Sequence, residues 1–339
     1  MTMIRMIGGE TGDNEFDYNA GVVVSTTGER SGSYSYTIGG PNIVSCILSP
    51  EESELYIQVG VYVTAFGISQ GTFFKWFNGT TVLGFLNIDD VNRVFRLYTS
   101  TGTLVGTGTK KLSLQTNYLL ELRIKIADAT GVPETEGKLE LRVDGITDIT
   151  FAGDTKPGAD TGINTLSFSS FVGSGSYVQL YIDDIIVNNI AGSVNNSWPN
   201  GAKVVALFPN GAGSSNQYTP SAGSNYQNVE EIPPTLVENN NTNTDAQLDL
   251  FAMSDLPAEA YSIQGIKNMV TALKQGVPAV PNIKTAYKVS GYTARLSSNH
   301  ALSFSAAVYA DIVETNLDSA LAWTIADINA LESGYKSAT

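Results

Sequence analysis

Residues 118–126 read YLLELRIKI, and from Leu120 onwards their apolar and charged positions alternate. One face carries Leu120, Leu122, Ile124 and Ile126, and the other carries Glu121, Arg123 and Lys125. Since successive side chains of a strand point to opposite faces, this pattern predicts a β-strand with one buried and one exposed face. Half-buried strands are typical of antiparallel sheets, whereas the strands of a parallel sheet are buried on both faces.

The same pattern continues on both sides of this segment. Residues 139–143 (LELRV) repeat the alternation and end at Asp144-Gly145, and the apolar residues 72–77 (TFFKWF) end at Asn78-Gly79. Asn-Gly and Asp-Gly pairs between apolar runs are strong signals for a β-hairpin, because both residues tolerate positive φ. About a dozen such segments lie in residues 1–190, at the spacing of a two-sheet sandwich. We therefore predict a mainly β, antiparallel fold.

The composition agrees with this prediction and excludes several classes of protein. Glycine accounts for 33 of the 339 residues, and 15% of residues are charged, against about 25% in a typical soluble domain. The net charge of −14, from 19 basic and 33 acidic residues, predicts no nucleic-acid partner. No apolar run approaches the ~20 residues of a membrane-spanning helix, so we predict no membrane insertion. One cysteine, Cys46, and one histidine, His300, provide neither a disulfide framework nor a site with two imidazoles.

Changes in composition divide the chain into three regions. We expect a jelly-roll sandwich in residues 1–190 and an extended junction, rich in Gly, Ser, Asn and Pro, in residues 191–234. Residues 235–339 are expected to form a second, smaller β-rich domain with one or two short helices.

Two helices are considered in this last region. Within residues 255–276, Ile263, Ile266, Val270 and Leu273 recur every three or four positions, which favours a helix, although a long strand is the alternative. The second helix follows Trp323. There, Thr324 and Asp327 resemble a capping box, and Gly334 is expected just after the end of the helix.

The dipeptide Asp183-Asp184 lies in a strand-like segment, YIDDIIV. Strand alternation places one of the two carboxyl groups on the face that carries the core isoleucines. A carboxylate in that position needs a partner, which could be a backbone turn, an arginine or a hard cation. We consider a structural hydrogen-bonding role and a Ca²⁺ site with further oxygens from Asp89 or Asp90, and we predict no other cofactor.

The sequence contains no nucleophile elbow, no phosphate-binding glycine loop and no HExxH motif. A glycosidase needs two convergent carboxylates, and the nearest candidates are Glu134 with Glu136 and the group Glu51, Glu52 and Glu54. Both sets lie beside a proline in predicted loops, where a solvated acidic loop is the simpler interpretation. His300 lies in a predicted turn and is expected to be solvated. We therefore predict that the protein is not an enzyme, with a glucanase-like hydrolase as an alternative.

Several segments together resemble one family of proteins. GGETGDNEF (8–16), followed by VVSTTGERSGSYSYTIGG (23–40), and YIDDIIVNN (181–189) resemble strands of the concanavalin A-like (laminin G-like) jelly rolls of tailed-bacteriophage virion proteins. Residues 196–231 and AWTIADINALESGYKSA (322–338) resemble an extension and a terminal segment of the same proteins. The resemblance implies a virion structural protein on the particle exterior, made in the host cytoplasm, which decorates the capsid or forms a head or tail appendage.

This function would depend on many weak contacts made by identical copies. The expected partners are other capsid or tail proteins and further copies of the chain. Aromatic residues of the junction and the C-terminal region are the interface candidates, namely Trp198, Phe208, Tyr218, Tyr226 and Trp323. A receptor-binding adhesin that recognises a host-surface glycan is the alternative.

Overall fold

The structure is a computed structural model that describes residues 2–12, 14–67, 71–132, 135–171, 178–258, 262–276 and 279–339. The chain forms two compact units, Met1–Val204 and Val205–Thr339. The division between the units falls inside the predicted junction of residues 191–234. The predicted fold class is confirmed: the protein is mainly β, and every strand pair in the described ranges is antiparallel. No helix in these ranges is long and apolar enough to cross a membrane.

The first unit contains fifteen strands within its described residues. They are β1 (Met3–Ile7), β2 (Tyr18–Ala20), β3 (Val23–Ser25), β4 (Ser35–Ile38), β5 (Ile43–Glu52), β6 (Glu54–Ala65), β7 (Gly71–Asn78), β8 (Thr81–Asp89), β9 (Val94–Thr99), β10 (Leu104–Thr107), β11 (Asn117–Lys125), β12 (Gly137–Val143), β13 (Ile146–Gly153), β14 (Ile163–Phe171) and β15 (Gln179–Asn189).

These strands form two sheets that share one hydrophobic core. The eight-stranded sheet has the order β13-β12-β11-β6-β15-β4-β3, with β1 also paired to β15. The seven-stranded sheet has the order β10-β9-β8-β7-β14-β5-β2. The core contains inward side chains of both sheets, for example Leu120 and Leu122 of β11 and Trp76 of β7, so the unit is a β-sandwich.

The two predicted hairpins are present. Val143 pairs with Ile146 across Asp144-Gly145, whose φ angles of 54° and 76° fit a type I′ turn. The other hairpin joins β7 to β8, but its turn lies one residue later than predicted, because Asn78 pairs with Thr81.

The second unit is also built mainly from strands. They are β16 (Pro209–Asn216), β17 (Thr219–Pro220), β18 (Asn240–Asn241), β19 (Leu248–Met253), β20 (Ile266–Ala272), β21 (Asn282–Lys288), β22 (Arg295–Leu296), β23 (His300–Ala301), β24 (Ala307–Val313) and β25 (Glu332–Ala338). A 3₁₀ helix covers Asn225–Val229, and α1 covers Ile325–Asn329. The main sheet has the order β16-β19-β25-β21-β22, with β23 on β21, while β17-β18 and β20-β24 form separate pairs.

One helix prediction is wrong and the other is partly confirmed. The region with helical spacing contains β20, which pairs with β24 over its whole length. A partner distant in sequence therefore overrides the local pattern. The predicted capping box of Thr324 and Asp327 is present at the start of α1. Gly334, however, lies in β25, where a Cβ atom would overlap the carbonyl oxygen of Asp249.

Candidate functional site

Asp183 and Asp184 lie on the same side of the eight-stranded sheet. A β-bulge interrupts β15 between Asp183 and Ile186, and Asp184 has a φ of 48°. The extra residue returns Ile185 to the core, so neither aspartate faces it. The prediction that one carboxyl group shares the core face is therefore wrong, because strict alternation does not hold across the bulge.

Both carboxylates bind the segment before β4. The Asp183 carboxylate accepts hydrogen bonds from the backbone N–H groups of Arg30 and Ser31, at 2.8 and 3.1 Å. Asp184 forms an ion pair with the guanidinium of Arg30 at 2.5 Å and accepts from the Ser31 hydroxyl at 2.6 Å. Both carboxylates therefore have hydrogen-bonding partners within the protein. Within the described ranges, no three His, Cys, Asp or Glu side chains are placed to hold a metal ion, and Ca²⁺ binding stays a prediction.

Residues 197–204, called here the strap, cover the outer face of the eight-stranded sheet. The indole of Trp198 packs on the Arg142 guanidinium, 3.8 Å from the ring centroid, and on the ring of Tyr56. Further along, the backbone N–H groups of Asn200 and Gly201 donate to Glu121 and Gln58 at 2.8 and 2.9 Å. The strap ends at Val204, whose N–H donates to Asp184 at 2.6 Å. The strap consequently covers Tyr56, Gln58, Glu121 and Asp184 on this face.

Burial under the strap changes the chemistry of the carboxyl groups below it. The pKa of Asp183 is raised to about 7, first because burial removes water from its carboxyl group and second because the Asp184 carboxylate lies beside it. The backbone hydrogen bonds to Asp183 act in the opposite direction and lower this pKa. Burial likewise raises the pKa of Glu121, a residue of the predicted exposed face that is only 2% exposed. These groups form a buried, hydrogen-bonded layer beneath the strap.

The predicted interface aromatics mostly pack within their own unit. Trp198 belongs to the strap, and Trp323 is 4% exposed, with its indole N–H donating to the Val313 carbonyl at 3.0 Å. Tyr218 packs edge-on against Tyr335, with the ring centroids 5.0 Å apart. The remaining two, Phe208 and Tyr226, are half-buried. Trp323 is therefore not a surface residue, and its burial removes the basis for naming it as a contact.

Three of the carboxylates considered for a glycosidase, Glu51, Glu52 and Glu54, have separate partners. Glu134 lies outside the described residues. Glu51 accepts hydrogen bonds from Asn78 and Thr161, and Glu52 accepts one from Asn189. The third member, Glu54, forms an ion pair with Arg123 at 2.5 Å. These contacts place each carboxylate in its own hydrogen-bonded environment, so this set shows no pair of carboxylates facing a shared cleft.

The outer face of the seven-stranded sheet carries a continuous row of aromatic and polar side chains. We call it the open row, and its members are directly paired from strand to strand: Tyr98 on β9, Phe85 on β8, Lys75 on β7, Ser167 on β14, Ser45 on β5 and Tyr18 on β2. The alternating residues of the same strands, such as Trp76, Leu86 and Leu166, are buried in the core. The open row therefore points away from the core, and its five steps between strands span about 24 Å.

The two ends of the open row differ from its middle. At one end, the rings of Phe85 and Tyr98 stack, with centroids 4.7 Å apart and planes at 11°. At the other end, Tyr18 is 55% exposed. Ser167 and Ser45 lie between the larger side chains and are 8% and 9% exposed, so small hydroxyl groups form a shallow floor.

Polar and apolar residues border the open row on either side. Arg96 and Asn87, which pair across β9 and β8, lie next to the stacked rings. The guanidinium of Arg96 forms an ion pair with Asp89 at 2.6 Å. On the opposite side, Phe77 pairs with Thr165, which pairs in turn with the exposed Ile47. The face thus combines flat apolar rings with hydrogen-bonding groups.

His300 is not a free surface residue, contrary to the prediction. Its Nε2 lies 2.6 Å from a carboxylate oxygen of Asp311, which also accepts from the Thr285 hydroxyl at 2.9 Å. The interaction joins β23 to β24, two strands that the sequence pattern does not place together. No local signal near His300 identifies Asp311 as its partner.

Comparison with known proteins gives structural neighbours only. No family model matches the chain, and no curated protein matches its sequence. An endo-β-1,4-glucuronan lyase from the fungus Trichoderma reesei has a TM-score of 0.43 and 11% identity, and the match covers 58% of this chain and 100% of the lyase. The alginate lyase Aly36B has a TM-score of 0.37 and 15% identity, and the match covers 56% of this chain and 97% of the lyase. Trypanosoma rangeli sialidase in complex with sialic acid has a TM-score of 0.40 and 12% identity, and the match covers 55% of this chain and 30% of the sialidase.

Two predictions are wrong against these comparisons. The prediction of a virion structural protein is contradicted, because the neighbours are lyases and a sialidase. The prediction that the protein is not an enzyme is contradicted for the same reason. Because their TM-scores lie below 0.5, the neighbours transfer no substrate and no residue role to this chain.

Proposed function

We propose that the first unit binds an extended polysaccharide along the open row. The observation that carries this proposal is the cross-strand alignment of Tyr98, Phe85, Lys75, Ser167, Ser45 and Tyr18. A row of about 24 Å on an open sheet face suits a chain of several sugar units better than a single small molecule, which is normally enclosed in a cleft.

The side chains of the row match the chemistry of a sugar ring. The C–H groups of a pyranose form an apolar face, which can pack against the stacked pair of Phe85 and Tyr98. Sugar hydroxyl groups need donors and acceptors nearby, and the hydroxyl groups of Ser167 and Ser45 supply both. On the outer face of the opposite sheet, the strap already occupies the polar groups of Glu121, Gln58 and Asp184.

A binding assay with matched variants tests the proposal. The full chain is titrated by calorimetry with hydroxyethyl cellulose, laminarin, alginate and polygalacturonate, and each mixture is also assayed for new chain ends. We expect at least one polymer to bind, and Phe85→Ala to weaken that binding about tenfold, which corresponds to ~1.4 kcal/mol. The control is Tyr62→Ala, which removes a half-buried ring from the outer face of the other sheet. Failure of every polymer to bind, or equal losses in the two variants, would contradict the proposal.

A further inference from the structure

We infer that Lys75 recognises an anionic group on the bound sugar, an inference that rests on the proposed function. Lys75 lies at an inner position of the open row, directly paired with Phe85 on one side and with Ser167 on the other. Side chains at directly paired positions have Cβ atoms about 5 Å apart. One sugar unit can therefore touch the aromatic ring, the ammonium group and the serine hydroxyl together.

The ammonium group of Lys75 has no acidic partner in the described part of the chain. It makes no ion pair and no hydrogen bond there, although the side chain is half-buried. The neighbouring cation on the same face, Arg96, is already paired with Asp89. The half-buried stem of Lys75 holds its ammonium group on this face without a counterion from the protein, and an anionic ligand would supply one.

The overall charge of the protein makes this position unusual. The chain carries a net charge of −14, which repels a polyanion at long range. Binding of an acidic polymer therefore needs a local cation that is not neutralised by the protein itself. Lys75 meets this condition at the centre of the face, with Ser167 and Ser45 beside it as neutral donors.

The test compares charged and neutral polymers with matched lysine variants. Wild-type protein, Lys75→Met, Lys75→Arg and Lys138→Met are titrated with alginate and polygalacturonate (carboxylate), dextran sulfate (sulfate) and laminarin (neutral), at low and at raised salt. Lys138 is the control because it is a half-buried lysine on β12, in the other sheet, with no ion pair in the described residues. Circular dichroism and thermal unfolding show whether each variant is folded.

We expect an acidic polymer to bind at least tenfold more tightly than laminarin. Lys75→Met should remove about tenfold of that affinity and reduce its salt dependence, Lys75→Arg should retain most of it, and Lys138→Met should change neither. Preference for the carboxylate or for the sulfate polymers identifies the anion. Equal binding of neutral and acidic polymers, or equal losses in the two methionine variants, overturns the inference. If laminarin binds and depends on Phe85 but not on Lys75, the proposed function stands and this inference fails, whereas binding of no polymer removes both.

Discussion

Replacement of Arg30 by methionine should destabilise the first unit strongly. The guanidinium of Arg30 forms the ion pair with Asp184 and donates to two strap carbonyls, those of Gly201 and Ala202, at 2.9 and 3.0 Å. Asp184 is completely buried, and the Arg30 side chain is 15% exposed. Methionine keeps much of the apolar stem but removes all three interactions, so a buried carboxylate loses its counterion.

The size of the effect follows from the burial of this pair. Removal of one partner of a buried ion pair typically costs 3–5 kcal/mol, because the remaining charge is uncompensated. An exposed pair contributes about 0–1 kcal/mol. We expect Arg30→Met to lower the free energy of unfolding of the first unit by about 3–5 kcal/mol, out of a total of about 5–15 kcal/mol for a typical domain.

Hydrogen exchange of the full chain in increasing urea measures this loss, because peptides from β6 and β15 report on the first unit alone. Arg5→Met is the control, since the Arg5–Asp17 pair is 28% and 33% exposed and should cost about 1 kcal/mol or less. In the double variant Arg30→Met/Asp184→Asn the charge is also removed, and asparagine tolerates the positive φ at position 184. We expect the double variant to be more stable than the sum of the single changes predicts. A loss below 1 kcal/mol for Arg30→Met, or simple additivity, would refute the reasoning.

Two further predictions concern the same unit. A Cβ atom on Gly84 would overlap the buried indole of Trp76, so Gly84→Ala should lower the free energy of unfolding in urea by about 1–3 kcal/mol. The control is Gly39→Ala, where the nearest atom to the added Cβ lies at 3.6 Å, and it should cost less than about 1 kcal/mol. Similar losses in both variants would count against this packing. Because the pKa of Asp183 is raised from 3.8 to about 7, the folded state binds this proton more tightly than the unfolded state, so the resulting stability is complete below pH 4 and is lost as the pH rises to 7. In the wild type, the free energy of unfolding should fall over that range by at most about 1.4 kcal/mol per pH unit. Asp183→Asn should make this fall smaller, and an unchanged dependence of the free energy of unfolding on pH would show that Asp183 does not cause it.

The features that could be predicted from the sequence depend on local physics. Alternation in residues 118–126 places Leu120 and Leu122 in the core, as β11 confirms. The turn at Asp144-Gly145 and the capping box at Thr324 depend on residues that are adjacent or three positions apart. Such short-range preferences act before any distant contact forms, so they can be inferred from sequence.

The differences between the predicted and the observed structure come from pairing between segments that are distant in sequence. The region of β20 has helical spacing, yet its backbone hydrogen bonds go to β24, about forty residues later. The bulge at Asp183 and Asp184 follows from contacts with Arg30, Ser31 and the strap rather than from the alternation of YIDDIIV. In both places a partner remote in the chain determines which face a side chain occupies.

The open row shows the same limit for the candidate site. Lys75 and Phe85 belong to one hairpin, but a turn one residue later than predicted and a bulge at Trp76 and Phe77 set their pairing. Ser167 reaches Lys75 only because β14 inserts between β7 and β5. Strand order and register set that neighbourhood, and a shift of one residue would turn the side chains of β14 to the opposite face. Local patterns thus establish which segments become strands, while pairing across the sheet, stabilised by burial of the shared core, brings the residues of the candidate site together.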